Sequence, residues 1–484
     1  MKKPKQHRAA APAHSSLLFA LLIIAVFLDV MDFSVVNVAL PVIKSDFGAS
    51  LAAIQWVIGA YGLTMAGFLL LSGRAGDMYG QKKLFVSGIV LFTASSFAAG
   101  IAPSLPILIA LRAVQGIGAA ISSVTAFSIF LVLFPEGEKR NRAMGIFMAV
   151  LSAGFAAGAL AGGFLTAFLG WRSVFFINVP IGAIAAVLIY RYLPESGARA
   201  ANRGLDLPGA AAITAGLMLL VYAFTVASGG DLISLQTLVP LLLSLVLLAS
   251  FFYIESLSRN PLMPLEFIKR GAILNANLAA LVVAAASGGL GVLVTLFLQQ
   301  TLGYSPLDAG LGFLPPAAIF FIIGGWGLDP IIRRLGIKRA MIASSILVTA
   351  GVALLIPISL KGGYLGILPG TVLWALGASI AFPALSLAAV NGTRRGEEGL
   401  ASGIITTTQR IGFPVGLAAL VAISSAATPL NSTPAQSIAG FRDAFIAAAI
   451  MSVLAILLVL RINVPEHSKR VQGISTEFVE ADLP

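Results

Sequence analysis

The chain has 484 residues, 58% hydrophobic and 11% charged, with a net charge of +11. That charged share is far below the roughly 25% of a soluble domain and excludes a water-soluble core. There is no cysteine, and the three histidines (His7, His14 and His467) lie in the tails, which excludes disulfide frameworks, thiolate or histidine metal sites and cysteine nucleophiles.

The basic start Met1 to Arg8 and the apolar run Leu17 to Leu28 resemble a signal peptide. The run continues through Asp29 and Asp32 to Pro41 without a small-residue cleavage pattern, so it reads as a retained first span. Stretches near the roughly twenty residues needed to cross a bilayer follow one another along the chain. In order they are 16–40, 51–72, 84–102, 105–133, 142–168, 172–193, 208–229, 236–255, 274–300, 307–328, 338–360, 362–391, 399–426 and 440–462. The expected fold is an all-α integral membrane protein of about fourteen spans, arranged six, two, six.

Basic residues mark the cytoplasmic ends of spans. With this topology 25 of the 31 Lys and Arg fall on one side, four (Lys44, Arg172, Lys361 and Arg442) on the other, and Arg112 and Arg410 inside the membrane. Both termini are therefore expected in the cytoplasm, in a cell inner membrane. The same sorting explains the basic pI without nucleic acid.

The expected division is a tail 1–15, a six-helix bundle 16–193, a linker with two inserted spans 194–273, a second bundle 274–462 and a tail 463–484. A worn echo supports duplication. After the second span stands Gly73-Arg-Ala-Gly-Asp77-Met-Tyr-Gly80-Gln-Lys82-Lys83, and at the matching place in the second bundle Pro330-Ile-Ile-Arg333-Arg334-Leu-Gly336-Ile-Lys338-Arg339. Gly73 and Gly80 are expected to permit a tight turn there.

Charges inside spans are costly and so informative: they are Asp29, Asp32, Arg112 and Arg410. Asp29 and Asp32 are three residues apart on one helical face, where two carboxylates cannot both ionise cheaply; one of them is expected to exchange a proton. Arg112 needs acceptors from a neighbouring helix, and Gly116 and Gly118 allow a close approach. Arg410 is left with three readings: bonding carbonyls, facing a wet cavity, or meeting an anionic group.

These motifs resemble the major facilitator superfamily, and within it the fourteen-span drug:proton antiporter family. Gly73, Asp77, Gly80, Lys82 and Lys83 match G-x-x-x-D-x-x-G-R-K/R, with Gln81 at the usual Arg. Leu108, Arg112, Gln115, Gly116 and Gly118 match L-x-x-x-R-x-x-Q-G-x-G, and Asp32 to Pro41 resembles L-D-x-T-V-x-N-V-A-L-P, with Met31 and Ser34 as departures. Gly154, Gly158, Gly162 and Gly163 fit G-x-x-x-G-P-x-x-G-G, with Ala159 for the proline. Gln55-Trp56, Tyr61, Gly170-Trp171-Arg172 and Asn178-Val-Pro180 strengthen the placement. The resemblance implies two bundles rocking about a central site, a conformational latch in the first motif, proton coupling through Asp32, Asp29 and Arg112, and export marked by the glycine motif. Gln409-Arg410 reverses the family's Arg-Gln order, turning the Arg by about 100° around its helix.

The expected function is proton-coupled efflux of hydrophobic, often cationic drugs, with Asp29 and Asp32 as the candidate substrate contacts. Phe33, Trp56, Tyr61, Phe155, Trp326 and Trp374 are aromatic candidates to line a cavity, with packing as their ordinary role. No Walker loop occurs, and no cofactor is expected. The expected partners are a small-molecule substrate, protons and the lipid bilayer; a periplasmic adaptor is left open. The alternatives are export of one metabolite or antibiotic and, more remotely, a membrane enzyme or channel.

Overall fold

The computed structural model describes residues 15–134, 138–193, 206–227, 234–258, 261–393, 397–428 and 434–462. The tails, with their histidines and cations, lie outside the described residues. Backbone groups within a bilayer must be satisfied inside their own segment, and the apolar stretches accordingly form helices. The first bundle holds α1 (Ser15–Asp46), α2 (Trp56–Tyr79), α3 (Gln81–Gly100), α4 (Leu105–Leu133), α5 (Glu138–Leu169) and α6 (Asn178–Tyr192). The inserted pair is α7 (Leu207–Ala227) and α8 (Leu235–Leu257). The second bundle holds α9 (Gly271–Thr301) and α10 (Pro306–Ile322), each ending in or running into a π-turn, Phe297–Thr301 and Ile323–Gly327. It continues with α11 (Leu328–Ala353), α12 (Gly363–Asn391), α13 (Glu398–Ala426) and α14 (Pro434–Leu460). Among the described residues, 11 helices are long and apolar enough to cross a membrane. Three shorter apolar helices, Trp56–Leu69, Ala157–Leu169 and Pro306–Ile322, occupy the places of the second, fifth and tenth expected spans.

Glycine sets the helix spacing. A Cβ on Gly158 would lie 2.6 Å from the Met31 carbonyl, and one on Gly162 2.8 Å from that of Val35, so α5 rests directly on the α1 backbone. The fifth helix of the second bundle repeats this: a Cβ on Gly412 would lie 2.7 Å from the Leu281 carbonyl, and one on Gly416 1.9 Å from that of Ala285, both on α9. The duplicated turns agree as well. Gly80 at φ 95° and, within α11, Gly336 at φ 74° each break the helical path just ahead of a cation pair, Lys82-Lys83 and Lys338-Arg339. Gly73, however, is no turn residue. It lies within α2, where a Cβ would meet Val124 of α4 at 3.2 Å, because the helix continues to Tyr79 and Gly80 alone makes the reversal.

The core shows which end of the molecule is shut. At the end away from the start of α1, one apolar cluster runs through both bundles, joining Val35, Ile43, Ile58 and Phe175 to Leu293, Phe297, Leu420 and Phe445. Gln299 donates to the Val38 carbonyl at 2.9 Å, and Lys44 to Gln300 at 3.3 Å, across the same seam. At the end holding the start of α1 and the end of α14 the described buried apolar residues fall into smaller clusters, none of which joins the first bundle to the second. Leu18, Phe85, Phe130 and Ile189 belong to the first, and Ala280, Met341, Leu385 and Val459 to the second. Among the described residues a shared apolar core thus joins the bundles at the predicted outer end and not at the predicted cytoplasmic end.

The inserted pair packs on the seam between α2 and α13. Thr225 of α7 accepts hydrogen bonds from Gln55 (3.0 Å) and Trp56 (2.9 Å), while Leu217 and Val221 pack with Leu63 of α2 and Ala418 of α13.

Candidate functional site

The centre of the first bundle is a buried polar cluster built on α1. Asp32 and Arg112 have side-chain exposures of 0%, with Arg112 Nη1 2.5 Å from Asp32 Oδ2. Charges this deep are held by matching their lone pairs and protons, here all but those on Arg112 Nη2, which has no hydrogen-bond partner among the described residues. Asp32 Oδ1 accepts from Gln115 at 3.0 Å and from Asn178 at 2.7 Å; Arg112 also donates to Gln115 at 2.7 Å and from Nε to the Val57 carbonyl at 2.9 Å. Asn178 is itself linked to Ser96 at 3.1 Å. Helices α1, α2, α3, α4 and α6 thus converge on one carboxylate. The approach depends on the glycines foreseen beside Arg112: a Cβ on Gly116 would lie 2.3 Å from the Tyr61 carbonyl, and one on Gly118 2.6 Å from the Phe92 amide.

Asp29 faces differently. Its Oδ1 accepts from the Tyr61 hydroxyl, and its Oδ2 lies 3.2 Å from Arg410 Nη2 on α13, in the other bundle. The two acids on one stripe therefore have separate cations, which relieves the repulsion expected between them. Tyr61 connects the two sites, since its ring also lies under the Arg112 guanidinium at 4.2 Å. Of the three readings left for Arg410, the structure selects the anionic partner.

As substrate contacts, both acids lie behind other side chains in this conformation: Asp29 is 2% exposed and Asp32 0%. The aromatic candidates are mostly packed. Tyr61 belongs to the buried site, Trp56 is tied to Thr225, Trp374 donates to Ser287 at 3.1 Å, and Phe33 is packed on the central core. The side chains of Phe155 and Trp326 lie outside the described residues.

In the first motif Lys82 sits 5.4 Å over the Tyr190 ring of α6, and Lys83 is exposed; the Asp77 side chain lies outside the described residues. Lys338 at the repeated position caps the end of α14, donating to the carbonyls of Val459, Leu460 and Ile462 at 2.6, 2.8 and 2.7 Å. Lys82 and Lys338 thus each rest on the last helix of their own bundle. The antiporter glycines Gly154, Gly158 and Gly162 face α1, whereas Gly163 faces α10, with a Cβ placed 2.9 Å from the Pro306 carbonyl. Sequence reasoning assigned no mechanistic part to Asn178 and Tyr61, although both stood in matched motifs.

Two helical bundles, the first built around a buried ion pair and linked to the second by another, fit a membrane transporter. Residues 22–417 match the family model described as Major Facilitator Superfamily, and the chain belongs to that family. It is 35% identical to the cephamycin export protein CmcT of Amycolatopsis lactamdurans, covering 94% of each chain. It is 33% identical to the multidrug resistance protein Stp of Mycobacterium tuberculosis, covering 83% of this chain and 74% of the relative. The fold is similar to that of the peptide transporter POT, with TM-score 0.66, 15% identity and coverage of 92% and 95%. The protein is a multi-pass membrane transporter with relatives that are export proteins.

Proposed function

We propose that this chain is a proton-driven exporter of hydrophobic, often cationic, drug-sized molecules, working by alternating access in a cell inner membrane with both termini cytoplasmic. It crosses the bilayer about fourteen times, as two six-helix bundles, 16–193 and 274–462, and an inserted pair. The carrying observation is the fully buried Asp32–Arg112 pair with Asp29 beside it reaching across to the second bundle. A carboxylate whose partners come from helices that move apart has a different proton affinity in each conformation, and that difference converts a proton gradient into motion. Asp32, Asp29 and Arg112 carry the coupling. Asp29 and Asp32 meet the substrate's positive charge once the halves separate. Gly73, Asp77, Gly80, Lys82 and Lys83 latch the bundles on the cytoplasmic side when the carrier turns outward, and the glycines of α5 form the bearing surface of that movement.

A second reading, export of a single antibiotic, is favoured by the relative named for cephamycin export. Everted membrane vesicles separate the two. Accumulation of ethidium that a protonophore abolishes supports broad efflux, and accumulation of one antibiotic without ethidium supports the narrow reading. Accumulation that persists after the proton gradient collapses overturns proton coupling for either.

A further inference from the structure

Of the ion pairs among the described residues, the one between Asp29 and Arg410 joins the two bundles. It is lopsided. The Asp29 side chain is 2% exposed and the Arg410 side chain 33%, with one contact of 3.2 Å between them. On the first-bundle side the carboxylate is fixed by the Tyr61 hydroxyl of α2. The charged and titratable groups around it among the described residues are Tyr61 of α2, Arg410 of α13 and, past the Tyr61 ring, Arg112 with Asp32. This is a buried carboxylate occupied by a guanidinium that a single, partly solvated contact holds.

We propose that Arg410 is an internal stand-in for the cargo, occupying the Asp29 carboxylate when the carrier holds neither substrate nor proton and thereby tying α13 to α1. The idea rests on the antiport reading above. One carboxylate then has three mutually exclusive partners: Arg410, a substrate's positive charge, or a proton. Only the first connects the bundles. An exchanger stays coupled only if its empty, ionised form cannot reorient, and a tether that exists in that form alone supplies the restraint.

Purified wild type, R410Q, R410K and D29N are compared for equilibrium binding of tetraphenylphosphonium, and then in proteoliposomes for uphill accumulation and for proton leak without substrate. R410Q, freed of the competitor, is expected to bind the probe about threefold to tenfold more tightly, to leak protons and to lose uphill accumulation while still equilibrating the probe downhill. R410K, which keeps the charge, moves each quantity back towards wild type, and D29N loses binding. Equal or weaker binding by R410Q, or uphill accumulation undiminished from wild type, overturns the proposal. Wild type that binds the probe but never accumulates it against a gradient overturns the antiport reading instead.

Discussion

Asp32 is held by three donor side chains, so its environment is as specific as its charge. Arg112→Gln strands a buried carboxylate and should lower stability by about 3–5 kcal/mol, whereas Asp32→Asn combined with Arg112→Gln removes both charges and should cost less than that single change. Thermal unfolding in detergent reads both; a double variant less stable than Arg112→Gln would contradict the pairing. Tyr61→Phe keeps the ring beneath Arg112 but removes the donor to Asp29, a loss of about 1–3 kcal/mol visible in the same assay. Asp29, Asp32 and Arg112 were legible in sequence because a charge inside an apolar run is conspicuous. Asn178, Tyr61 and the partner of Arg410 were not. Neutral hydrogen-bonding side chains leave no such contrast, and a contact across 381 positions is invisible to local pattern.

Helix existence was readable from apolar run length and helix pairing much less so, since the direction a glycine faces depends on rotation about the helix axis. Gly154, Gly158 and Gly162 stood in a matched motif and pack on α1, but Gly73 was read as part of a turn and proved to be a contact with α4. Graded substitution tests the packing on α1. Gly158→Val drives a side chain into the Met31 carbonyl and should cost about 1–3 kcal/mol, while Gly154→Ala, whose added Cβ sits 3.3 Å from Phe27 and Val30, should be much milder. Equal effects in thermal unfolding would argue against direct backbone contact. At the bundle ends the charges act as fixed clips. Arg270, outside the spans, makes a two-point pair with Glu397 at 2.5 and 3.1 Å, and this hydrogen bonding lifts its pKa further above the ordinary guanidinium value. It therefore stays charged across physiological pH.

For the whole molecule, the two-bundle division was legible from the six, two, six arrangement, but the conformation was not, because a sequence that supports alternating access encodes more than one arrangement of the bundles. Among the described residues the bundles share one core at the end away from the start of α1 and divide it at the other, so the end away from the start of α1 is the closed one. The absence of native cysteine makes this testable by pairwise labelling. Lys44→Cys with Gln300→Cys, spanned by a short bifunctional maleimide, should crosslink readily and arrest transport by holding the outer end closed. Full-rate transport by the crosslinked protein would contradict a seam that opens there.

The central claim is that acids of the first helix exchange a proton against cargo, and proton release into weakly buffered solution on adding tetraphenylphosphonium to purified protein measures it most directly. Wild type should release protons in proportion to bound probe, and Asp32→Asn and Asp29→Asn should release none. Undiminished release from Asp32→Asn would contradict the account.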